Sequence, residues 1–243
     1  MNPLHIVVLD RDPLVNRPFD FDFPHTLSSY GTTEAHETLK RIRGADIVIT
    51  NKVVISAQAF AENPQLKLVA VTATGVNNVD VEAAKQNGTA VCNIRAYGNE
   101  SVAEHAFMMM ITLMRNLPAY QRDVAAGLWE NSPFFCHLGA PMRDLNGKTL
   151  AIFGRGNIGK TLATYAQAFK MNVVFAEHKN AQSIRDGYVS FDEAIRSADV
   201  VSLNCPLTPQ TANMIGKAEL QQMKPGAILI NCGRGGLVDE AAL

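Results

Sequence analysis

The sequence lacks the features of several common protein classes. It has no apolar run long enough to cross a bilayer, since the longest charge-free apolar stretch near a helix is only Ala106–Met114. The opening segment MNPLHIVVLDRD has no basic region before its apolar residues, so it does not resemble a signal peptide. The formal net charge is −1 without a block of like charges, which argues against a nucleic acid or an anionic membrane as partner.

Closely spaced cysteines are also missing. Cys92, Cys136, Cys205 and Cys232 lie far apart and form no CxxC pair, so neither a disulfide framework nor a metal site is expected. A reduced, cytoplasmic protein is the simplest interpretation. What the sequence does contain is ordinary globular composition, 47% apolar and 19% charged over 243 residues. This is enough chain for one or two domains with a real core.

Short apolar runs alternate with helical segments in the first part of the chain. Four runs are apolar on both faces and predict the strands of a parallel sheet: His5–Leu9, Ala45–Thr50, Leu66–Thr72 and Thr89–Ile94. Helices are predicted between them at Glu34–Arg43, Ser56–Glu62 and Val81–Gln86. Ser56 and Asp80 are expected to cap the second and third helices, and Asn87-Gly88 to end the third.

A longer helix is predicted from Ser101 to about Ala126, with a capping box at Ser101 and Glu104 and a kink at Pro118. Its run AFMMMITLM is apolar nearly all round, which predicts a buried helix. Burial in the core and burial in a subunit interface both fit this pattern. The stretch that follows, Gly127–Asn146, is predicted to be an irregular connection.

A second series of strands and helices then begins. Strands are predicted at Lys148–Phe153, Asn172–Ala176, Asp199–Asn204 and Ala227–Asn231. Helices are predicted at Asn157–Phe169, Phe191–Ser197 and Lys217–Met223, with a further helix opening at Asp239. Alternation of this kind predicts an α/β fold with parallel sheets.

The sharpest local signal is the GxGxxG pattern at Gly154–Gly159, between a predicted strand and a predicted helix. Such a loop lets a pyrophosphate approach the backbone at a helix N-terminus. Glu177 ends the next strand, where a carboxylate can accept hydrogen bonds from ribose hydroxyls. Its charge favours NAD over NADP, although Lys179 could soften that preference.

Five ordered motifs extend this prediction. They are ATGVNNVD (73–80), AYGNESVAEH (96–105), GKTLAIFGRGNIG (147–159), SADVVSLNCPLTPQT (197–211) and MKPGAILINCGRGGLVDEAAL (223–243). On these motifs the chain, from about Thr50 onward, resembles the D-isomer-specific 2-hydroxyacid dehydrogenases, and within that family the glycerate dehydrogenases, also called hydroxypyruvate reductases. The resemblance implies two doubly wound parallel-sheet domains. They are a flavodoxin-like substrate (catalytic) domain at 1–97 and an incomplete Rossmann NAD-binding domain at 98–243. It also implies a homodimer.

The resemblance assigns roles to individual residues. Arg234 matches the family's catalytic arginine, whose guanidinium can hold the carboxylate of a 2-oxo acid and stabilise the developing oxyanion. The loop Thr74, Gly75 and Val76 matches the substrate-carboxylate loop. Residues implied at the cofactor are Ser101, Gly154, Arg155, Gly156, Asn157, Ile158, Gly159, Glu177, Cys205, Pro206, Cys232, Gly233 and Arg234. Ser101 is equally explained as a helix cap.

The chain departs from the family pattern after the arginine. In the family a glutamate and then a proton-donating histidine follow, whereas here no histidine occurs after His178. His105 matches a family helix position and is most simply a packed or capping residue. His137 could reach the cleft, but a local role explains it more simply. We therefore expect a fragment whose parent reduces hydroxypyruvate, glyoxylate or a related acid. An NAD-binding regulatory protein without turnover, or an inactive fragment, remains the alternative.

Overall fold

The computed structural model describes residues 3–14 and 18–243 of the chain. They form two compact units, Met1–Tyr97 and Gly98–Leu243. Within the described residues each unit contains one parallel sheet, of five strands in the first and four in the second. The predicted α/β class with two parallel sheets is therefore confirmed.

The first unit is built on strands β1 (Leu4–Val8), β2 (His25–Ser29), β3 (Ile47–Thr50), β4 (Leu68–Val71) and β5 (Ala90–Asn93). All neighbours pair in parallel in the order β2-β1-β3-β4-β5, which is the flavodoxin-like order. Four of these strands were predicted, with ends that differ from the observed ones by one or two residues. The edge strand β2 was missed because its sequence, HTLSS, is polar and largely exposed.

The helices of this unit are α1 (Thr38–Arg41), α2 (Ala57–Ala61) and α3 (Val81–Asn87), with a 3-10 turn at Ala35–Glu37 before α1. The Asp80 carboxylate accepts a hydrogen bond from the Ala83 N–H, and Gly88 ends α3 at φ 76°, as predicted. The expected side-chain cap at Ser56 is wrong: Ser56 precedes α2 in extended conformation, but its hydroxyl makes no capping bond.

The second unit begins with α4 (Asn99–Met114) and α5 (Leu117–Ala125). The prediction of one kinked helix was wrong, since Asn116 adopts left-handed backbone at φ 49° and separates the two. Pro118 lies in the first turn of α5, where its missing N–H costs no hydrogen bond. The capping box at Ser101 was also wrong: α4 begins earlier, after Gly98, and the Ser101 hydroxyl donates to the Gly98 carbonyl oxygen at 3.4 Å.

Helix α4 is buried on one face only. Ala103, Ala106, Met110 and Met114 are fully buried in the core of the second unit, whereas Met108 is 53% exposed. The prediction of burial all round was therefore wrong, because α4 packs on one side of the unit and leaves its outer apolar face uncovered.

The sheet of the second unit follows. It contains β6 (Thr149–Phe153), β7 (Asn172–Ala176), β8 (Val200–Leu203) and β9 (Ile228–Asn231), paired in parallel in the order β7-β6-β8-β9. Its helices are α6 (Asn157–Ala168), α7 (Phe191–Ser197) and α8 (Lys217–Gln222), all close to the predicted bounds. The helix expected from Asp239 is a short 3-10 turn at Glu240–Ala242, with the Asp239 carboxylate as its cap. None of the helices among the described residues has the length and apolarity needed to cross a bilayer.

Candidate functional site

The turn between β6 and α6 is fixed by two backbone contacts that exclude side chains. Gly154 has φ +112°, and a Cβ on it would lie 2.7 Å from the Asn204 carbonyl oxygen. A Cβ on Gly159, in the first turn of α6, would lie 2.1 Å from the Gly154 carbonyl oxygen. Strand, turn and helix can approach this closely only without side chains at these two positions.

Gly156 differs from its neighbours in the turn. No described atom lies within 4 Å of a Cβ built on it, so the space in front of the residue is open. Gly156 is also the N-cap of α6, and no described side chain caps the helix there. The first N–H groups of α6 therefore remain available to an anion, which the positive end of the helix dipole attracts.

A cleft of about 570 Å³ opens at the carboxyl ends of β6, β7 and β8. This is the edge where doubly wound sheets bind their ligands. The structure brings six of the predicted cofactor residues together in its lining: Gly154, Arg155, Gly156, Glu177, Cys205 and Pro206. The open space beside Gly156, the uncapped helix and the cleft together fit a dinucleotide.

Glu177, at the end of β7, is only 4% exposed, and both of its oxygens are occupied. Its Oε1 accepts from Arg185 Nη2 at 2.6 Å and from the His178 N–H at 2.8 Å. Its Oε2 accepts from Arg185 Nε at 2.7 Å and from the Arg185 backbone N–H at 3.2 Å. The paired guanidinium lowers the pKa of Glu177 to about 2, so the carboxylate stays ionised at any physiological pH.

An aromatic ring joins two arginines at this end of the cleft. The Arg185 guanidinium lies 4.2 Å from the centroid of the Tyr188 ring, and the Arg155 guanidinium lies 5.3 Å from the same centroid. Arg155 also lies 4.8 Å from the centroid of Phe175 on β7. These cation–π contacts hold both cations beside Glu177. Arg185 and Tyr188 were not predicted, because an arginine and a tyrosine in a loop carry no sequence signal of their own.

Arg234 lies in the loop after β9. The Asn231 side chain fixes this loop, since its Nδ2 donates to the Arg234 carbonyl oxygen at 2.8 Å and its Oδ1 accepts from the Gly233 N–H at 3.0 Å. A Cβ on Gly233 would lie 3.4 Å from the carbonyl oxygen of Cys205, which lines the cleft. The Arg234 side chain is exposed, and its Nη1 donates to the Gly233 carbonyl oxygen at 3.0 Å.

The thiols of this region are partly buried. Burial raises the pKa of the Cys205 thiol, and it also raises the pKa of Cys232. Both thiols are therefore protonated at neutral pH, and neither has the thiolate character of a nucleophile.

The loop Thr74–Val76 belongs to the first unit and follows β4. The Thr74 carbonyl oxygen accepts from Asn93 Nδ2 at 2.6 Å, and the Val76 carbonyl oxygen accepts from the Val79 N–H at 3.0 Å. The Val76 side chain packs against the core of the first unit. These contacts hold a short backbone segment at the carboxyl edge of that sheet.

Comparisons with known proteins agree with this geometry. The family model described as D-isomer specific 2-hydroxyacid dehydrogenase, NAD binding domain, matches residues 107–243. This chain belongs to that dehydrogenase family. It is 44% identical to a putative 2-hydroxyacid dehydrogenase of Haemophilus influenzae, over 99% of this chain and 77% of the relative. It is 42% identical to a glycerate dehydrogenase of Methylorubrum extorquens, over 98% of this chain and 75% of the relative.

Solved structures of the family have the same fold. A glyoxylate reductase from Paecilomyes thermophila matches with a TM-score of 0.78 and 27% identity, over the whole of this chain and 77% of that one. Membership of the family identifies the cofactor of the second unit as NAD, for which the turn and cleft described above are suited.

The other predicted cofactor residues are not part of the lining of the cleft. The first turn of α6 is formed by Asn157, Ile158 and Gly159, so their predicted contribution to cofactor binding comes from their backbone N–H groups. Four more are not among the described residues that line the cleft: Ser101, Cys232, Gly233 and Arg234. Their roles in binding stay predictions. The lining instead adds residues of the loop after β8, such as Thr208 and Thr211, which the sequence did not single out.

Proposed function

We propose that this chain is the cofactor-binding and substrate-binding part of an enzyme that transfers hydride between NADH and a small 2-oxo acid. The observation that carries the proposal is the open space at Gly156, in front of an uncapped helix and within a cleft of about 570 Å³. Hydroxypyruvate and glyoxylate are the substrates we favour. They fit the names of the relatives, which include glycerate dehydrogenase, hydroxypyruvate reductase and glyoxylate reductase.

In this proposal the chain supplies position and charge, while NADH, when bound, supplies the hydride. The backbone of Gly154–Gly159 and the N-terminus of α6 hold the pyrophosphate. Arg234 grips the carboxylate and the carbonyl oxygen of the substrate, and its charge stabilises the oxygen as negative charge develops there. The carboxylate-binding role of Gly75 and Val76 in the first unit stays a prediction; within the described part of the chain their N–H groups donate to no protein acceptor.

Proton transfer needs a further group, which we do not assign to any of these 243 residues. His137 Nε2 donates to Asp123 Oδ2 at 2.9 Å, and its ring packs edge-on to Tyr120, so a local role accounts for it. His105 lies exposed on α4. The relatives are longer than this chain, which covers 77% of one and 75% of another.

The purified chain is expected to bind NADH and to oxidise it at no more than a trace rate when hydroxypyruvate is added. General acid catalysis accounts for about 10²–10⁴-fold in rate, so its absence should leave little turnover. Calorimetric titration measures binding, and NADH absorbance measures turnover. Failure to bind NADH would overturn the proposed function. Rapid turnover would show instead that a proton donor lies within these residues. If the protein is instead regulatory, NADH should bind tightly and 2-oxo acids should leave that binding unchanged.

We further propose that two copies of the chain associate through the surface around α4 and α5. The surface is formed by residues 108–142, which include most of α4, all of α5 and the connection that follows. Within the described part of the chain, ten large apolar side chains of these residues are exposed: Met108, Leu113, Leu117, Val124, Leu128, Trp129, Phe134, Phe135, Leu138 and Met142. Phe135 is 100% exposed and Leu138 is 86% exposed. Monomeric proteins rarely leave so much apolar surface in water, so a second copy is the natural cover.

Light scattering during size exclusion is expected to give about twice the chain mass of 26.4 kDa. Phe135→Asp should shift the protein to a monomer, because a buried unpaired carboxylate is costly in an interface. Val54→Asp is the matched control, since Val54 is 61% exposed but belongs to the first unit. A monomeric parent protein, or equal masses for both variants and the parent, would contradict the proposed interface.

A further inference from the structure

The carboxylate that should select NAD is already saturated. A carboxylate offers about four lone-pair sites, and Glu177 accepts four hydrogen bonds from protein groups. Three of these four donors belong to Arg185. A ribose hydroxyl could therefore bond to Glu177 only by sharing or displacing one of them. The negative charge, which should repel a 2′-phosphate, is compensated by the guanidinium in contact with it.

The charges that line the cleft are mainly positive. Glu177 is the anion of the lining, whereas Arg155, Lys179 and Arg185 are its cations. The charge of Lys179 is compensated in part, because its Nζ lies 2.7 Å from Glu219 Oε1. Arg185 uses two of its five side-chain N–H groups on Glu177, and its side chain is half exposed. Donors of Arg185 therefore face the solvent of the cleft.

The position of the two arginines is set by packing. Both guanidiniums lie against the ring of Tyr188, and Arg155 also fills the space beside Gly187, where a Cβ would lie 2.8 Å from its Nη1. A second cavity of about 190 Å³ shares Glu177, His178 and Lys179 with the cleft. This second cavity leaves room beside Glu177 for a group attached to the ribose, although the carboxylate residue Asp192 also lines it.

We propose that Arg185 determines cofactor choice, and that the cleft accepts NADP(H) as well as NAD(H). Arg185 masks Glu177, and together with Arg155 it receives the 2′-phosphate through charge-assisted hydrogen bonds. This inference rests on the proposed dinucleotide site, and it removes most of the preference for NAD that a free carboxylate would impose. If Arg185 served only to brace Glu177, its removal would weaken both cofactors alike.

Calorimetric titration of the 243-residue chain with NADH and with NADPH tests the inference without any turnover. The two dissociation constants are expected to lie within about ten-fold of each other. Arg185→Met should weaken NADPH by about ten-fold or more while leaving NADH unchanged or tighter, since it frees the carboxylate and removes a phosphate ligand. Glu177→Gln should shift the ratio in the opposite direction. Arg196→Met is the matched control, because Arg196 is exposed on α7 and bonds Gln222 outside the cleft.

Circular dichroism first establishes that each variant is folded. If Arg185→Met does not fold, Arg185→Lys and Arg155→Met replace it: the lysine should retain part of the NADPH affinity, and Arg155→Met should weaken NADPH more than NADH. The inference is overturned if the unaltered chain binds NADH but binds NADPH about 100-fold more weakly or worse. It is overturned as well if the arginine variants change both affinities equally. Absence of binding by either cofactor would refute the proposed function itself.

Discussion

Gly159→Ala is expected to lower the free energy of unfolding of the second unit by about 3 kcal/mol or more. The added Cβ would lie 2.1 Å from the Gly154 carbonyl oxygen, a backbone atom that cannot rotate away. The clash can be relieved only if α6 moves away from β6. That movement breaks the apolar contacts that Leu162 and Ala166 make in the core. Urea denaturation followed by circular dichroism measures the loss, and NADH titration should show that binding is lost with it.

Gly156→Ala is the matched control for this experiment. The same methyl group at Gly156 meets no described atom within 4 Å, and the backbone there is extended at φ −78° and ψ −169°. The loss of stability should therefore be about 1 kcal/mol or less, the amount expected because alanine is a poorer N-cap than glycine. NADH affinity should nevertheless fall, because the methyl group projects toward the place where the pyrophosphate would approach. Equal stability of the two variants would disprove the close approach of strand and helix.

The second large effect is expected at Arg234. Arg234→Gln should weaken the binding of oxamate, a 2-oxo acid analogue, to the NADH complex by about 100-fold, or roughly 2.7 kcal/mol. The reason is that glutamine offers neither a charge nor the two parallel N–H groups that a carboxylate and a carbonyl oxygen accept. Calorimetric titration of oxamate in saturating NADH measures this without needing a proton donor.

Two further variants define the role of Arg234. Arg234→Lys should retain part of the oxamate affinity, because it keeps the charge but loses the planar geometry. Arg196→Gln, on the exposed side of α7, should leave oxamate binding unchanged. NADH affinity should change much less than oxamate affinity in each variant. Unchanged oxamate binding in Arg234→Gln would remove the arginine from the substrate site.

Much of the fold could be predicted because buried strands leave an unmistakable pattern. The segments of β6 and β8 are mostly apolar, and the structure buries nearly all of their residues. The edge strand β2 could not be found this way, since a strand with one free edge and few core contacts needs no apolar run. Helix α4 was read as buried all round because composition does not show how many sides of a helix are covered.

The candidate site was predictable only where backbone geometry demands one residue type. Contacts with backbone oxygens require glycine at positions 154 and 159. The requirement is therefore visible in the sequence as glycines at a fixed spacing. The pairing of Arg185 with Glu177 left no such record, because it depends on how the loop after β7 folds back over eight residues. For the same reason Thr208 and Thr211 were not assigned to the cleft, although Cys205 and Pro206 of the same loop were.

The contact between Gly154 and Gly159 also bears on the thermodynamics of ligand capture. A turn wedged against a helix has few alternative conformations, so its N–H groups are oriented before any ligand arrives. Ligand binding then costs little conformational entropy in the residues that contact the phosphates. More of the interaction energy is therefore retained as affinity. The conformational entropy of this turn was already lost when the chain folded.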